Sequence, residues 1–427
     1  MNQKVFALID CNNFFVSCER VFNPKLENVP VIVASNNDGC AVARSNEVKE
    51  IGIKMGVPLF KVKDLLHKHC IKVLSPNFAL YSDMSHRVME VLRTITDKIE
   101  VYSIDEAFLS IESLGVEEYE EFGRMVKDKV FKWTGIPVSI GIAHTKTLAK
   151  AASELAKKKE GGVVDLVTKS VQEQDVLLQG IPVGDVWGIG YRLTPFYESR
   201  GIMTAYDYKY ADLNLYGSKV TVGGRRTQLE LQGISCNQVT TTHVSRKSII
   251  SSRSFGKPVY TQEELSEAIS EYIGRAARKL RSQNLLAGYL TVYLTTGRFK
   301  KARDYYAPST STALVYPTSY TPDLVKAGLV CLEKIYRPGY QYKKAGVCFT
   351  SLQTMESMQF RIFDSFSFRK RMQEEKLMAT VDKLNKKWGQ GVLKLASEGT
   401  NPLWQMKQSQ RSPRYTTAWK ELLQISV

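Results

Sequence analysis

Hydrophobic and polar positions fall into short runs along the chain, and the period of each run predicts an element. Val5-Phe6-Ala7-Leu8-Ile9 is continuously apolar and ends at Asp10, the pattern of a buried strand whose last residue emerges at a sheet edge. Residues 29–34 repeat that pattern, and Ser35-Asn36-Asn37-Asp38-Gly39 supplies a turn after them. Residues 99–105 alternate with a period of two, which predicts a strand with one buried face that again delivers a carboxylate, Asp105. A helical stretch at about 116–133 leads into a further strand at 138–142. Strands interleaved with helices around one sheet predict an α+β or α/β domain over residues 1–165.

The run Lys157-Lys158-Lys159-Glu160-Gly161-Gly162 marks a flexible boundary. Beyond it the pattern is mainly helical, broken at Trp187-Gly188-Ile189-Gly190. From about residue 245 the pattern changes again, to strands at 248–255, 289–295, 312–316 and 344–349 with helices at about 262–281 and 322–335. That succession predicts a separate small α+β domain. After Thr350 the chain is polar and charged, with one apolar cluster, Phe360-Arg361-Ile362-Phe363, and one helical stretch at about 368–388, so this tail is expected to be only partly ordered.

Charge separates the two halves. Residues 1–200 carry 25 Lys and Arg against 26 Asp and Glu, whereas residues 201–427 carry 34 against 17, so the whole net charge of +16 lies in the second half. A near-neutral front half suits chemistry and a basic rear half suits a grip on a polyanion, nucleic acid before membrane lipid, because no basic amphipathic helix with an aromatic apolar face stands out. No apolar run approaches the roughly 18 residues that span a bilayer, and the first ten residues lack a signal peptide's apolar core, so a cytoplasmic location without membrane contact is expected. The seven cysteines form no CxxC pair and are odd in number, which fits reduced thiols. His67 and His69 have no Cys or third His nearby and are expected as a solvated helix end rather than a zinc site.

Asp10 and the adjacent pair Asp105-Glu106 are far apart in sequence yet able to lie side by side on one sheet. Such a set suits hard divalent cations, as in nucleotidyl transfer, where one metal activates the attacking hydroxyl and another holds the leaving pyrophosphate about 4 Å away. Turn caps or surface salt bridges would explain the acids equally well on this pattern alone.

The residues around the acids, Ile9-Asp10-Cys11-Asn12-Asn13-Phe14-Phe15-Val16-Ser17-Cys18-Glu19 and Tyr102-Ser103-Ile104-Asp105-Glu106-Ala107-Phe108, resemble the two catalytic motifs of Y-family DNA polymerases. Further stretches resemble the UmuC-like branch of that family: Ser35 to Cys40 with Ala43-Arg44, Met55-Gly56, Tyr81 to Ser85, Gly141 to Ala143 with Thr145 to Lys150, and Asp185 to Gly190. So do Trp404-Gln405-Met406-Lys407 and Ser412-Pro413-Arg414-Tyr415-Thr416-Thr417 near the end, which separate the chain from the shorter DinB-like branch.

The resemblance implies an α+β right-hand polymerase. Its parts would be a ferredoxin-like palm at 1–24 and 73–165, small fingers at 25–72, a helical thumb with a helix-hairpin-helix at 166–242, an α+β little finger at 243–350, and a UmuC-type C-terminal region at 351–427. It implies two Mg²⁺ ions on Asp10, the Cys11 carbonyl, Asp105 and Glu106, and triphosphate contacts from Lys49 and Lys157. Asn46 stands where many relatives have a triphosphate-binding Tyr, and Arg44 is a second candidate; a structural salt bridge would account for Arg44 or Lys49 about as well. Phe15, five residues after Asp10, falls where the family has an aromatic steric gate under the deoxyribose, with Phe14 beside it, although a Phe pair next to a strand is ordinarily core. Gly188, Ile189 and Gly190 would bring backbone N–H groups to a DNA phosphate, aided by the dipole of the next helix.

By the same resemblance the partners are primer-template DNA, dNTP, UmuD-type subunits, a RecA-type recombinase and the sliding clamp, the last through Gln359, Ile362 and Phe363. The activity implied is error-prone lesion bypass. A DinB-like polymerase and a nucleotidyl cyclase-like palm are the alternatives, together with a non-enzymatic DNA-binding scaffold. A cyclase needs no DNA-binding hairpin and no basic rear half, and a scaffold would leave the three acids unexplained.

Overall fold

The computed structural model describes residues 4–241, 245–297, 305–354, 356–357, 368–400 and 404–422. They gather into two compact units, one of Met1–His243 with Ser409–Val427, the other of Val244–Gln408.

The first unit opens with β1 (Phe6–Cys11), α1 (Phe14–Phe22), β2 (Val31–Ala34), β3 (Ala41–Arg44), α2 (Asn46–Glu50), α3 (Lys63–Lys68), β4 (Lys72–Leu74) and α4 (Phe78–Arg93). It continues with β5 (Ile99–Val101), β6 (Glu106–Ser110), α5 (Tyr119–Thr134), β7 (Val138–Ala143), α6 (Lys146–Ala156) and β8 (Val163–Asp165). The short helices α7 (Val171–Gln179), α8 (Thr194–Glu198), α9 (Ala205–Tyr210) and α10 (Val222–Leu231) follow. Five strands form the main sheet in the order β5-β6-β1-β7-β8, with β1 in the middle and antiparallel to both neighbours. A second sheet has the order β3-β2-β4.

The continuous apolar run of β1 is explained by burial on both faces. Ala7, Ile9 and Cys11 point into one core with α1, α4 and α5, and Phe6 and Leu8 point into the other with α6 and the helical segment. Gly141 on β7 sets how closely α6 approaches, since a Cβ there would come within 2.2 Å of the Ala149 carbonyl oxygen and the Ser153 nitrogen. The helical segment is fastened to α6 by Glu230 of α10, which is fully buried. Its carboxylate accepts from Thr147 N and Oγ1 at 2.9 and 2.6 Å, from Cys236 N at 3.2 Å and from Asn237 N and Nδ2 at 2.8 and 2.9 Å. Five donors on one carboxylate offset the cost of burying its charge.

The second unit contains β9 (Ile249–Val259), α11 (Gln262–Arg281), β10 (Leu285–Thr296), β11 (Ser309–Thr318), α12 (Thr321–Ile335), β12 (Tyr342–Thr354) and α13 (Phe368–Trp388). Its four strands are antiparallel in the order β11-β10-β12-β9, and the apolar stripes of α11 and α12 cover one face. No helix among the described residues is long and apolar enough to cross a membrane.

Two expectations change. Residues 99–105 are not one strand: β5 stops at Val101, the chain turns, and Glu106 is the first residue of β6. The turn is closed by Tyr102 N and Ser103 N donating to the Glu106 carbonyl at 3.1 Å, and by the Ser103 hydroxyl accepting from Asp105 N and Glu106 N at 3.2 and 3.0 Å. Residues 351–427, expected as one region, are split, because Ser409–Val427 returns to the first unit.

Candidate active site

The acids meet where β1, β6 and the turn before β6 come together. Asp10 lies directly opposite Glu106 in the antiparallel ladder, and Cys11 N donates to the Asp105 carbonyl at 2.8 Å. The Ser103 hydroxyl also donates to Asp105 Oδ1, so the turn that presents this carboxylate is held by the residue two before it. β1 then leaves the sheet through Asn12 and Asn13. Asn13 takes the left-handed conformation (φ 48°, ψ 40°), which asparagine tolerates better than most residues, and starts α1 at Phe14. This two-residue corner sets Phe15 at the second position of α1.

Basic side chains face the acids from α6 and from its C-cap, Lys157. The Lys157 ammonium lies 2.9 Å from Asp10 Oδ2 and 2.7 Å from Glu154 Oε1, and the Lys150 ammonium bonds Glu106. Burial pushes the Asp10 carboxyl up to about 7, against the pull of Lys157, and the like charges of Glu106 and Asp105 push the same way. Burial works against the Lys157 ammonium, but Asp10 and Glu154 outweigh it and hold its pKa above the ordinary lysine value. The Cys11 thiol is driven well up by burial and by Asp10.

Among the described residues no three carboxylate, thiol or imidazole side chains already converge as a metal cluster; two of the acids hold ammonium groups instead. The donor set nevertheless fits hard divalent cations. It is made of oxygens, its charges crowd one another, and the lysines on Asp10 and Glu106 show that cations are accommodated on both.

A second basic group comes from the small sheet. Lys49 bonds the Asn46 side chain at 3.3 Å, and its pKa is lowered by burial and by the charges of Arg44 and Lys157. Arg44 Nη1 donates to the Ile53 carbonyl at 2.6 Å while its buried Nε has no partner, and burial lowers its pKa. Among the described residues neither forms a salt bridge, although the charges of Glu154 and Asp10 act on Lys49.

Phe14 and Phe15 divide. Phe14 is 3% exposed and packs in the core, the alternative that the sequence left open for it. Phe15 is only partly buried, stacked on Tyr81 with ring centroids 4.4 Å apart and planes 13° from parallel, and it meets Phe78 edge-on at 6.2 Å.

At the hairpin, Gly188 has φ +89°, a conformation that suits glycine. The Ile189 side chain is buried, so it anchors the turn. Trp187 ties the turn to the acidic corner: its indole donates to the Tyr102 hydroxyl at 2.9 Å and packs on Phe108. The next helix, α8, has five residues and begins at Thr194, so the expected dipole contribution is that of little more than one turn. Gln359, Ile362 and Phe363 lie outside the described residues.

The lysines of α6 are the residues that spacing alone should have grouped. Lys146 and Lys150 on α6 and Lys157 at its C-cap follow one another by four and seven positions, one face of a helix, whereas the resemblance gives a contact to Lys157 alone. Lys146 is buried, pairs with Glu100 at 2.6 Å and lies over the Phe108 ring.

Residues 9–154 match the impB/mucB/samB family and residues 246–362 match that family's C-terminal domain. Residues 375–425 match a domain of unknown function. The chain is 39% identical to protein UmuC of Salmonella typhimurium over 425 residues, covering 99% of this chain and 100% of that protein. It is 39% identical to protein ImpB of the same organism over 421 residues, 98% of this chain and 99% of the other. DNA polymerase IV of Bacillus cereus is 26% identical over 400 residues, 92% and 93% of the two chains. Among solved structures, a Y-family DNA polymerase chimera of Dbh and Dpo4 superimposes with a TM-score of 0.65 at 21% identity, over 82% of this chain and 99% of the chimera.

Proposed function

The chain belongs to the UmuC-like branch of the impB/mucB/samB family of Y-family DNA polymerases, an error-prone translesion enzyme, and from that premise we propose how its residues perform the transfer. The higher identity to UmuC than to DNA polymerase IV sets aside the DinB-like alternative, and family membership sets aside the cyclase and the scaffold. The observation that carries the residue assignment is the meeting of Asp10, Asp105 and Glu106 at one sheet corner beneath a row of ammonium groups.

Two Mg²⁺ ions, held by Asp10, the Cys11 carbonyl, Asp105 and Glu106, would activate the primer 3′-hydroxyl and steady the departing pyrophosphate. The protein's own part is position and charge. Lys157, with Lys49 and Arg44, supplies positive charge to the triphosphate of a dNTP. Phe15 lies under the sugar. Gly188, Ile189 and Gly190 offer main-chain groups to a DNA phosphate and read no sequence, and the basic rear half supplies general affinity for primer-template DNA. In right-hand terms, the main sheet is the palm, the small sheet the fingers, the segment of α7 to α10 the thumb and the four-stranded unit the little finger.

UmuD-type subunits and a RecA-type recombinase complete the working assembly in the cytoplasm, where the seven free cysteines stay reduced. Primer extension tests the proposal: synthesis that requires dNTP and a divalent cation is expected from the chain alone or with those partners, and no synthesis in any combination would sink it. The sliding clamp is taken to bind Gln359, Ile362 and Phe363 as a short anchor. Replacing Ile362 and Phe363 by Ala should lower clamp retention in a pull-down by about tenfold or more, the scale of a lost pair of anchors; equal retention would remove the clamp from the list of partners.

A further inference from the structure

Ser412 to Thr417 is a distinctive motif to which the proposed chemistry gives no role, and in the structure it is tied to the ring proposed as sugar gate. Its segment is bound to the first unit at several points. Ser75 N donates to the Gln410 carbonyl and Gln410 N to Ser75 Oγ, both at 3.0 Å. Asn77 caps α4 with its side-chain oxygen, while its Nδ2 reaches Ser412 Oγ at 2.9 Å and the Ser412 and Pro413 carbonyls at 3.2 and 3.0 Å. Tyr415 stacks on Phe22 with centroids 4.9 Å apart. Arg414 folds the segment on itself by bonding Glu421 through Nε and Nη2 at 2.8 and 2.6 Å.

The chain of contacts then runs to the gate. Ser412 Oγ donates to Glu19 Oε1 at 3.0 Å, and the Tyr81 hydroxyl donates to the same oxygen at 2.6 Å. Glu19 is 1% exposed, lies on α1 four residues after Phe15, and so shares its face of the helix. Tyr81 is fully buried and carries Phe15 stacked on its ring. A buried carboxylate with two hydroxyl donors fixes both donors, because losing either leaves it short of a bond in a place that water does not reach. Burial already pushes the Glu19 carboxyl upward, against the help of Tyr81 and Ser412.

We propose that residues 409–422 act as a strap that positions the sugar gate, with Ser412 holding Glu19 and Tyr81 so that the Tyr81 ring seats Phe15. Ser412, Glu19 and Tyr81 are positioning residues here, and the inference rests on Phe15 being the gate. The test is the ratio of deoxyribonucleotide to ribonucleotide insertion in single-nucleotide kinetics (kcat/KM for each), a ratio that a general loss of folded enzyme does not move. Ser412→Ala and Tyr81→Phe should each lower the ratio by about three- to tenfold, the scale of one lost buried hydrogen bond, and Ser412→Thr should restore it. Tyr81→Phe keeps the ring and its volume, so it carries the measurement should Ser412→Ala fold poorly. Phe15→Ala is the reference arm. A parental ratio in Tyr81→Phe and Ser412→Ala beside a collapsed ratio in Phe15→Ala would overturn the strap and leave the gate standing. A parental ratio in Phe15→Ala would overturn the gate, and the strap with it.

Discussion

Asp105→Asn is expected to abolish nucleotide addition, a fall of about 10³-fold or more, because cation binding at this corner needs the carboxylate charge that the amide lacks. Asp10→Asn should do the same. Binding to primer-template DNA should stay within about twofold, since affinity for the phosphate backbone scales with basic contacts and the basic excess lies in residues 201–427. The folded state should also survive. Asp105 sits in a hydrogen-bonded turn whose Ser103 side chain can bond an amide as well as a carboxylate, and Asp10→Asn removes a carboxylate that burial already disfavours. Primer extension and fluorescence anisotropy on the same preparations check both halves; extension near the parental rate by either variant would end the assignment of these acids as cation ligands.

Phe15→Ala is expected to raise ribonucleotide incorporation relative to deoxyribonucleotide by at least about tenfold. Overlap of one 2′-oxygen with a ring held in place costs on the order of 1 to 3 kcal/mol, a bias of roughly 10- to 150-fold. The ring is held: Tyr81 backs its face and Phe78 its edge. Desolvating the hydroxyl without a partner adds to the bias. Phe14→Ala makes the internal contrast. Its ring is buried in the core, so the change should cost about 3–5 kcal/mol of stability and leave the sugar preference as it was, which thermal unfolding and insertion kinetics separate.

The local parts of this site were legible in the sequence, and the distant parts were not. Val5 to Ile9 announces β1 because an element covered on both faces must be apolar throughout, and Asp10 breaks that rule visibly. The turn at 102–105 is hidden because Ser103 and Asp105 alternate with apolar neighbours just as strand residues do; only the Ser103 hydroxyl, bonding to Asp105 and Glu106, shows that the chain bends there. Phe14 and Phe15 are one residue type at adjacent positions, and what separates them is which side of α1 each occupies. The return of 409–422 to the first unit leaves no periodic trace at all. Its bonds to Ser75 and Asn77 span some 335 positions, and nothing in a window of ten or twenty residues records such a partner.

That return has a consequence for the order in which the protein is made. A ribosome releases the acids, α6 and the hairpin first, then has to synthesise all of Val244–Gln408 before Ser412 appears. At about 5–20 residues per second the interval is roughly ten to thirty seconds. During it, Glu19 has Tyr81 but not Ser412, and the Asn77 amide has no strap to grip. Residues 409–422 are therefore the last described part of the first unit to be made, and a fragment cut short before Ser409 carries every acid of the site without Ser412 beside Glu19.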